Sequence, residues 1–204
     1  DALILPGTKS TAEGLRFLRE QGIDRVVRRV LAEGGTVIGL CGGYQMLGRR
    51  ILDPHAVESS DREIEGLGLL EGVTIFERTK VTVQVSGVHR ASGCRIEGYE
   101  VHMGRTETRD VVPLLEVKSV MDPAPRAEGA VSLDGRIMGT YVHGLFDAPE
   151  FRRVFLNHLR EARGKPPLEP TQSGSLDADL DRLADLVAGH LDLNAVERVI
   201  EHGV

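Results

Sequence analysis

Short apolar runs alternate with amphipathic segments over the first fifty residues. Ala2–Leu5 and Thr36–Leu40 are almost entirely apolar, which is typical of strands buried on both faces of a parallel sheet. Between them, residues 13–18 and Ile23–Leu31 place apolar side chains at helical spacing, and the Ser/Thr-rich segment 8–11 offers N-caps. This alternation predicts an α/β fold, with an open, mostly parallel sheet and flanking helices.

The middle of the chain follows a two-residue period instead. Short strands are predicted at Gly72–Ile75, Lys80–Val85 and Gly98–Val101, and the apolar positions of the second alternate with polar ones. Residues 129–142 predict a hairpin that closes on a two-residue turn at Asp134-Gly135.

Helices are predicted again in the last third of the chain. Glu150–Glu161 has helical spacing, a proline-rich connector begins at Lys165, and Leu176–Leu193 and Asn194–Ile200 form two further helical segments. The apolar side chains of the first helix that we expect to face inward are Phe151, Val154, Phe155, Leu156 and Leu159.

Composition narrows the class of protein. The chain has 204 residues and a formal net charge of −6, with 41% hydrophobic and 27% charged residues, which fits a folded domain. No apolar run reaches the roughly 18 to 20 residues of a membrane span, and the acidic balance with 4% aromatics argues against a nucleic-acid binder. Two cysteines are too few for a disulfide scaffold, so we expect a reducing compartment and a cytoplasmic protein. The 24 glycines, about 12% against a usual level of roughly 7%, point to tight turns or close approach to a ligand.

One glycine-rich segment carries candidate chemistry. In Gly39-Leu40-Cys41-Gly42-Gly43, glycines two positions before and after the cysteine allow a sharp turn from strand to helix that exposes the thiol. A helix N-terminus also favours the thiolate. The alternative is a buried cysteine that packs against the sheet, as most free cysteines do. Cys94 has no such surroundings, and we expect no chemistry there.

Four motifs, in order along the chain, resemble a known family. Residues 39–48 resemble the nucleophile motif of class I glutamine amidotransferases, which implies a flavodoxin-like architecture. Residues 5–11, 98–104 and 139–146 narrow the resemblance to the C-terminal glutaminase domain of the cobyric acid synthase family, and it extends from residue 3 to about residue 160. On that basis residues 1–164 are the amidotransferase domain, without the first strands of the family fold, 165–176 are a connector, and 177–204 are C-terminal helices.

The resemblance implies a set of catalytic groups. Cys41 is the nucleophile that attacks the side-chain amide of glutamine, and His143 matches the histidine that transfers protons. Backbone N–H groups of Gly42 and Gly7 are the expected oxyanion donors, although a simple turn also explains Gly7.

Substrate binding and the support of His143 are less determined. Gln45 matches a position that hydrogen-bonds the substrate glutamine, and Arg105 is suited to the substrate α-carboxylate, although both also fit surface positions. Leu145 stands where most class I members have a glutamate that orients the histidine. Asp147, Glu100 or a carboxylate of a partner domain remain alternatives, as does a Cys–His dyad without a third member.

The resemblance also implies how the ammonia is used. It is expected to feed an ATP-dependent synthetase domain, carrying ATP and Mg²⁺, that amidates corrinoid carboxylates in cobalamin biosynthesis. This chain has no phosphate-binding G-x-x-x-x-G-K-[ST] loop and no close spacing of metal ligands, so we expect no cofactor or metal within it. From its composition we also expect no nucleic-acid or membrane partner. The alternatives are the glutaminase of cobyrinate a,c-diamide synthase, that of a peptidoglycan-precursor amidating complex, and a non-catalytic α/β binding domain.

Overall fold

A computed structural model describes residues 1–169 and 176–203, which belong to two compact units, Asp1–Glu169 and Pro170–Val204. In the first unit, the helices are α1 (Thr11–Glu20), α2 (Ile23–Ala32), α3 (Gly42–Leu47) and α4 (Pro149–Glu161), with a single 3₁₀ turn at Leu145–Asp147. Its strands are β1 (Ala2–Leu5), β2 (Thr36–Leu40), β3 (Arg50–Leu52), β4 (Glu63–Glu65), β5 (Gly72–His89), β6 (Arg95–Thr108), β7 (Val111–Val112), β8 (Leu115–Ser119), β9 (Arg126–Glu128), β10 (Ala130–Ser132), β11 (Ile137–Thr140) and β12 (Val142–His143). In the second unit, α5 spans Leu176–His190 and α6 spans Leu193–His202.

The first sheet carries the parallel strands that the sequence predicts. Its order is β1-β2-β11-β10-β7, with β2 parallel to both β1 and β11 and the last two strands antiparallel. Helices α1 and α2 bury Leu15 and Val27 in the hydrophobic core that also contains Val37 of β2. Ser10 caps α1 by accepting a hydrogen bond from the N–H of Glu13. The α/β class is confirmed, in the form of mixed sheets with flanking helices.

The second sheet is built around one long ribbon. β5 pairs antiparallel with β6 over almost its whole length, and β3, β4, β8, β9 and β12 complete the sheet. The prediction of separate short strands at Gly72–Ile75 and Lys80–Val85 is wrong, because both lie in the single strand β5. A register shift between Phe76 and Val81 bends β5 without breaking it, and no glycine or proline interrupts the intervening residues.

The predicted hairpin exists but differs in its turn and its end. Ala130 pairs with Gly139 and Val131 with Met138, which leaves four residues between β10 and β11 rather than a two-residue turn. The chain then changes sheets at Tyr141, because β11 belongs to the first sheet and β12 to the second. His143 therefore lies on a strand of the second sheet.

Helix α4 is confirmed, and Pro149 occupies its first turn. Phe151 and Phe155 are buried as predicted, whereas Val154 and Leu156 are 39% and 42% exposed, so their inward orientation is wrong. Helical spacing allows only one face of α4 to pack on the sheet, and the two phenylalanines occupy that face. Among the described residues, no helix is long and apolar enough to cross a membrane.

Candidate active site

Cys41 lies on a strained turn between β2 and α3. Its φ of 51° and ψ of −111° form a left-handed conformation that costs a residue other than glycine about 1–3 kcal/mol. The packing of the two flanking glycines explains why the turn holds. A Cβ on Gly39 would stand 2.6 Å from the backbone of Gly43, and one on Gly43 would overlap the carbonyl oxygen of Leu5. The G-x-C-x-G spacing is thus required by close contact of strand and helix.

Three residues that the sequence singles out, Gly7, Gly42 and His143, lie around the side chain of Cys41. A Cβ placed on Gly7 would be 3.4 Å from both the Cβ of Cys41 and the Cε1 of His143, so these two side chains flank the same glycine. Gly42 faces the same loop, since a Cβ there would stand 2.8 Å from Oγ1 of Thr8. We call Gly7, Cys41, Gly42 and His143 the cysteine–histidine cluster.

The surroundings of Cys41 change the expected state of its thiol. Burial raises the pKa of Cys41, the N–H of Gly42 lowers it, and the negative charge of Glu58 raises it further, with a net increase. The thiol donates a hydrogen bond to the carbonyl oxygen of Val101 at 3.4 Å. The expectation of a favoured thiolate is therefore wrong for the protein without substrate, because burial outweighs the helix N-terminus. The thiol needs a base, and His143, which flanks the other side of Gly7, is the candidate.

His143 is held without a carboxylate. Its ring lies nearly parallel to that of Tyr99, with 5.0 Å between centroids and 6° between planes. Burial, followed by the charge of His102, lowers the pKa of His143, so its neutral form is the base at neutral pH. Within residues 1–169 and 176–203, no carboxylate hydrogen-bonds to this ring.

Glu100 and Asp147, the carboxylates of this chain proposed to orient His143, do not hydrogen-bond to its ring. Glu100 is buried, accepts hydrogen bonds of 2.7 Å from Arg126, and lies 3.5 Å from Nε2 of His102. Oδ2 of Asp147 lies beside Gly144, 3.3 Å from where a Cβ would stand. Leu145 is buried in a hydrophobic cluster with Phe151. Of the alternatives, the dyad and a carboxylate from a partner domain remain as hypotheses.

Gln45 is buried one turn along α3 from Cys41 and is not a surface residue. Its Oε1 accepts a hydrogen bond of 2.7 Å from the hydroxyl of Thr11, and its Nε2 donates to the hydroxyl of Tyr141 at 3.4 Å. Tyr141 is in turn 2.6 Å from Oγ1 of Thr106. One amide N–H of Gln45 remains for another acceptor, because Nε2 carries two.

Arg105 is not brought into the cysteine–histidine cluster. Its guanidinium forms ion pairs with Glu77, at 3.1 Å, and with Glu107, and its side chain is 56% exposed. It also lines a cavity of about 650 Å³ together with His102 and Tyr141. A role at the substrate α-carboxylate would require Arg105 to leave these two partners.

The sequence analysis missed residues that are far from Cys41 in the chain but shape its surroundings. Asp53 is fully buried and accepts hydrogen bonds from the N–H groups of Val57, Glu58 and Ser59, which fixes the loop that brings Glu58 to Thr11. No spacing in the sequence signals that loop. Tyr99 and Tyr141 do have a signal, because each lies in a motif that resembles the family. No group of three metal-ligating side chains occurs in the described part of the chain.

Comparison with known proteins shows the fold and the family of this chain. The fold is that of a glutamine amidotransferase: a solved structure so described has a TM-score of 0.50, with 20% identity over 80% of this chain and 79% of that one. More narrowly, the chain belongs to the family of CobB/CobQ-like glutamine amidotransferase domains, whose model matches residues 1–151.

Two curated relatives narrow the comparison further. A cobyric acid synthase from Dehalococcoides mccartyi (strain ATCC BAA-2266 / KCTC 15142 / 195) is 40% identical over 100% of this chain and 42% of its own length. One from Cereibacter sphaeroides is 44% identical over 95% of this chain and 38% of its own length. The chain thus spans about two fifths of the relatives it matches.

Proposed function

We propose that this chain is the glutaminase domain of a cobyric acid synthase. The family match and the two cobyric acid synthase relatives support this proposal. The ammonia that it releases is used by an ATP-dependent synthetase domain in the cytoplasm, which amidates side-chain carboxylates of a corrinoid and carries the ATP and Mg²⁺. No step at the cysteine–histidine cluster itself requires a cofactor.

In the first half-reaction the thiol proton of Cys41 moves to His143, and the sulfur attacks the side-chain carbonyl carbon of glutamine. The C=O electron pair moves to oxygen, and the N–H groups of Gly7 and Gly42 stabilise the oxyanion. When the C–N bond breaks, His143 returns its proton to the departing nitrogen. Ammonia leaves, and a glutamyl thioester remains on Cys41.

In the second half-reaction His143 takes a proton from water, which attacks the thioester carbon. A second oxyanion forms, collapses and expels the sulfur, which recovers its proton from His143. Glutamate leaves, and Cys41 is again a thiol. Because the pKa of Cys41 is raised and that of His143 is lowered, the resting pair is neutral and charge separates only when substrate is bound.

Two further residues complete the proposed substrate site. The free amide N–H of Gln45 is suited to an oxygen of the substrate glutamine, and Thr11 and Tyr141 hold the amide in that orientation. Arg105 would bind the α-carboxylate in place of Glu77 and Glu107. This second assignment requires the Arg105 guanidinium to move, since it lies outside the cluster.

The observation that carries the proposal is that Cys41, on its strained turn, and His143 flank Gly7. The test compares wild type, Cys41→Ser and Cys94→Ser in ammonia release from glutamine and in labelling by a glutamine-analogue diazoketone. We expect wild type and Cys94→Ser to gain one label mass and to release ammonia, and Cys41→Ser to do neither.

Equal ammonia release by Cys41→Ser and wild type, or labelling at Cys94, would overturn the proposed chemistry and favour a non-catalytic α/β domain. The acceptor is tested separately with the longer protein that carries this chain. Glutamine labelled with ¹⁵N in its amide should yield a labelled corrinoid amide when ATP is present. Glutamine hydrolysis without corrinoid amidation would overturn the assignment to cobyric acid synthase and leave the glutaminase chemistry intact.

A further inference from the structure

We infer that Tyr99 is the positioning residue for His143, holding the imidazole against its ring face and stabilising the imidazolium that forms during the reaction. This inference rests on the proposed function, because it gives His143 a proton to carry. The observation behind it is the nearly parallel arrangement of the two rings, with 5.0 Å between centroids and 6° between planes. Aromatic pairs favour such separations.

The backbone fixes the two rings in this arrangement. His143 and Tyr99 are direct partners in the antiparallel pairing of β12 with β6, so their side chains leave the same face of the sheet. Gly98 makes that pairing possible at this distance, since a Cβ there would overlap the carbonyl oxygen of His143. The dipeptide Gly98-Tyr99 therefore has two roles: the glycine admits the β12 backbone, and the tyrosine contacts its imidazole.

The ring occupies the role that a carboxylate has in a triad. Leu145 is buried in an apolar cluster, and Glu100, the partner of Val142 on the neighbouring pair, turns to Arg126 and His102. The described residues thus offer His143 an aromatic face and no anion. An aromatic face restricts rotation of the imidazole and attracts its cationic form.

The charges around His143 set the direction of the effect. Cys41 flanks it across Gly7, and His102 of β6 disfavours its cationic form. Tyr99 acts in the opposite sense, because a cation within about 6 Å of a ring centroid is stabilised. Removing the ring should lower the pKa of His143 further and move the acid limb of the activity profile to lower pH.

The experiment compares Tyr99→Leu, Tyr99→Phe and wild type in steady-state glutamine hydrolysis across pH, with labelling of Cys41 by the diazoketone as a second readout. Tyr99→Leu should lower kcat about tenfold, change KM less than about twofold, and shift the acid limb downward. Tyr99→Phe should restore all three values, since it retains the ring. Phe17→Leu is the matched control, because Phe17 is an exposed aromatic residue on α1.

An unchanged kcat and pH profile in Tyr99→Leu would overturn the inference. Equal losses of kcat in Tyr99→Leu and Tyr99→Phe would also overturn it, because they would assign the effect to the hydroxyl and not to the ring. Tyr99 is 49% exposed, so we expect its truncation to leave the fold intact. If thermal unfolding shows otherwise, Tyr99→Met keeps apolar bulk without a ring and is judged by the same outcomes. Failure of the proposed function has a different signature, namely hydrolysis by Cys41→Ser at the wild-type rate.

Discussion

Replacing Gly7 with alanine places a methyl group in the gap between Cys41 and His143. Its carbon would stand 3.4 Å from a side-chain carbon of each residue, which is ordinary van der Waals contact. The backbone of Gly7 does not have a positive φ, so alanine is compatible with its conformation. The protein should therefore accept this substitution, while the space between nucleophile and base is filled.

The expected effects of Gly7→Ala on stability and on glutamine hydrolysis differ widely. The free energy of unfolding should change by less than about 1 kcal/mol, because no contact is forced and alanine reduces the freedom of the unfolded chain. The substrate carbonyl carbon must approach the sulfur to within about 3–3.5 Å, and a misplacement of about 1 Å costs about a hundredfold in rate. We expect kcat/KM for glutamine to fall at least a hundredfold, or about 2.7 kcal/mol of transition-state stabilisation.

The assay pairs ammonia release with thermal unfolding, and two other glycines serve as controls. Gly189→Ala places its methyl in open space on α5, so it should leave ammonia release unchanged and should not lower the stability. Gly43→Ala would force a Cβ into the carbonyl oxygen of Leu5 and should cost at least about 2 kcal/mol of stability. If Gly7→Ala retains more than about a third of the wild-type kcat/KM, the reacting carbonyl does not lie between Cys41 and His143 and the reasoning is refuted.

Two further predictions concern a half-buried carboxylate, Glu58, and a buried one, Glu128. Because the charge of Glu58 contributes to the raised pKa of Cys41, Glu58→Gln should speed alkylation of Cys41 near neutral pH on the order of threefold. The control is Glu63→Gln, at an exposed ion pair with Arg50, which should leave the alkylation rate unchanged. Equal alkylation rates in the two variants would exclude Glu58 as a cause of the raised pKa. Burial raises the pKa of Glu128 from 4.5 to about 7, so between these two pH values the folded state binds a proton that the unfolded state has lost. The free energy of unfolding should therefore fall, by up to about 3 kcal/mol, as the pH rises from 4.5 through about 7. Denaturant unfolding at about pH 5 and about pH 8 should show that fall in wild type and not in Glu128→Gln; parallel pH dependence in both proteins would contradict the assignment.

Local patterns in the sequence were sufficient to predict the strand-to-helix turn at Cys41. The apolar run of β2, the two glycines around Cys41 and the helix that follows are all short-range features, and the structure has them at the predicted residues. The fold class follows from the same alternation. Nothing in a local pattern, however, shows that β5 continues through its bend, because continuity depends on pairing with β6 twenty or more residues away.

The state of the thiol could not be predicted for a similar reason. A helix N-terminus next to Cys41 was visible in the sequence, but the burial of the thiol and the charge of Glu58 come from packing. Asp53 binds three backbone N–H groups of the loop that carries Glu58, and Thr11 donates to the Glu58 carboxylate. The environment of His143 was equally hidden, since its partner Tyr99 is identified by strand register and not by sequence spacing.

The change of sheet at Tyr141 means that the side chains of Cys41 and His143 have separate supports. Cys41 follows β2 of the first sheet, whereas His143 lies on β12 of the second, and Tyr141 is the only residue between β11 and β12. A shift of one sheet against the other would therefore change the separation of Cys41 and His143. Because Tyr141 alone joins β11 to β12, its backbone sets how far His143 lies from the sheet that carries Cys41.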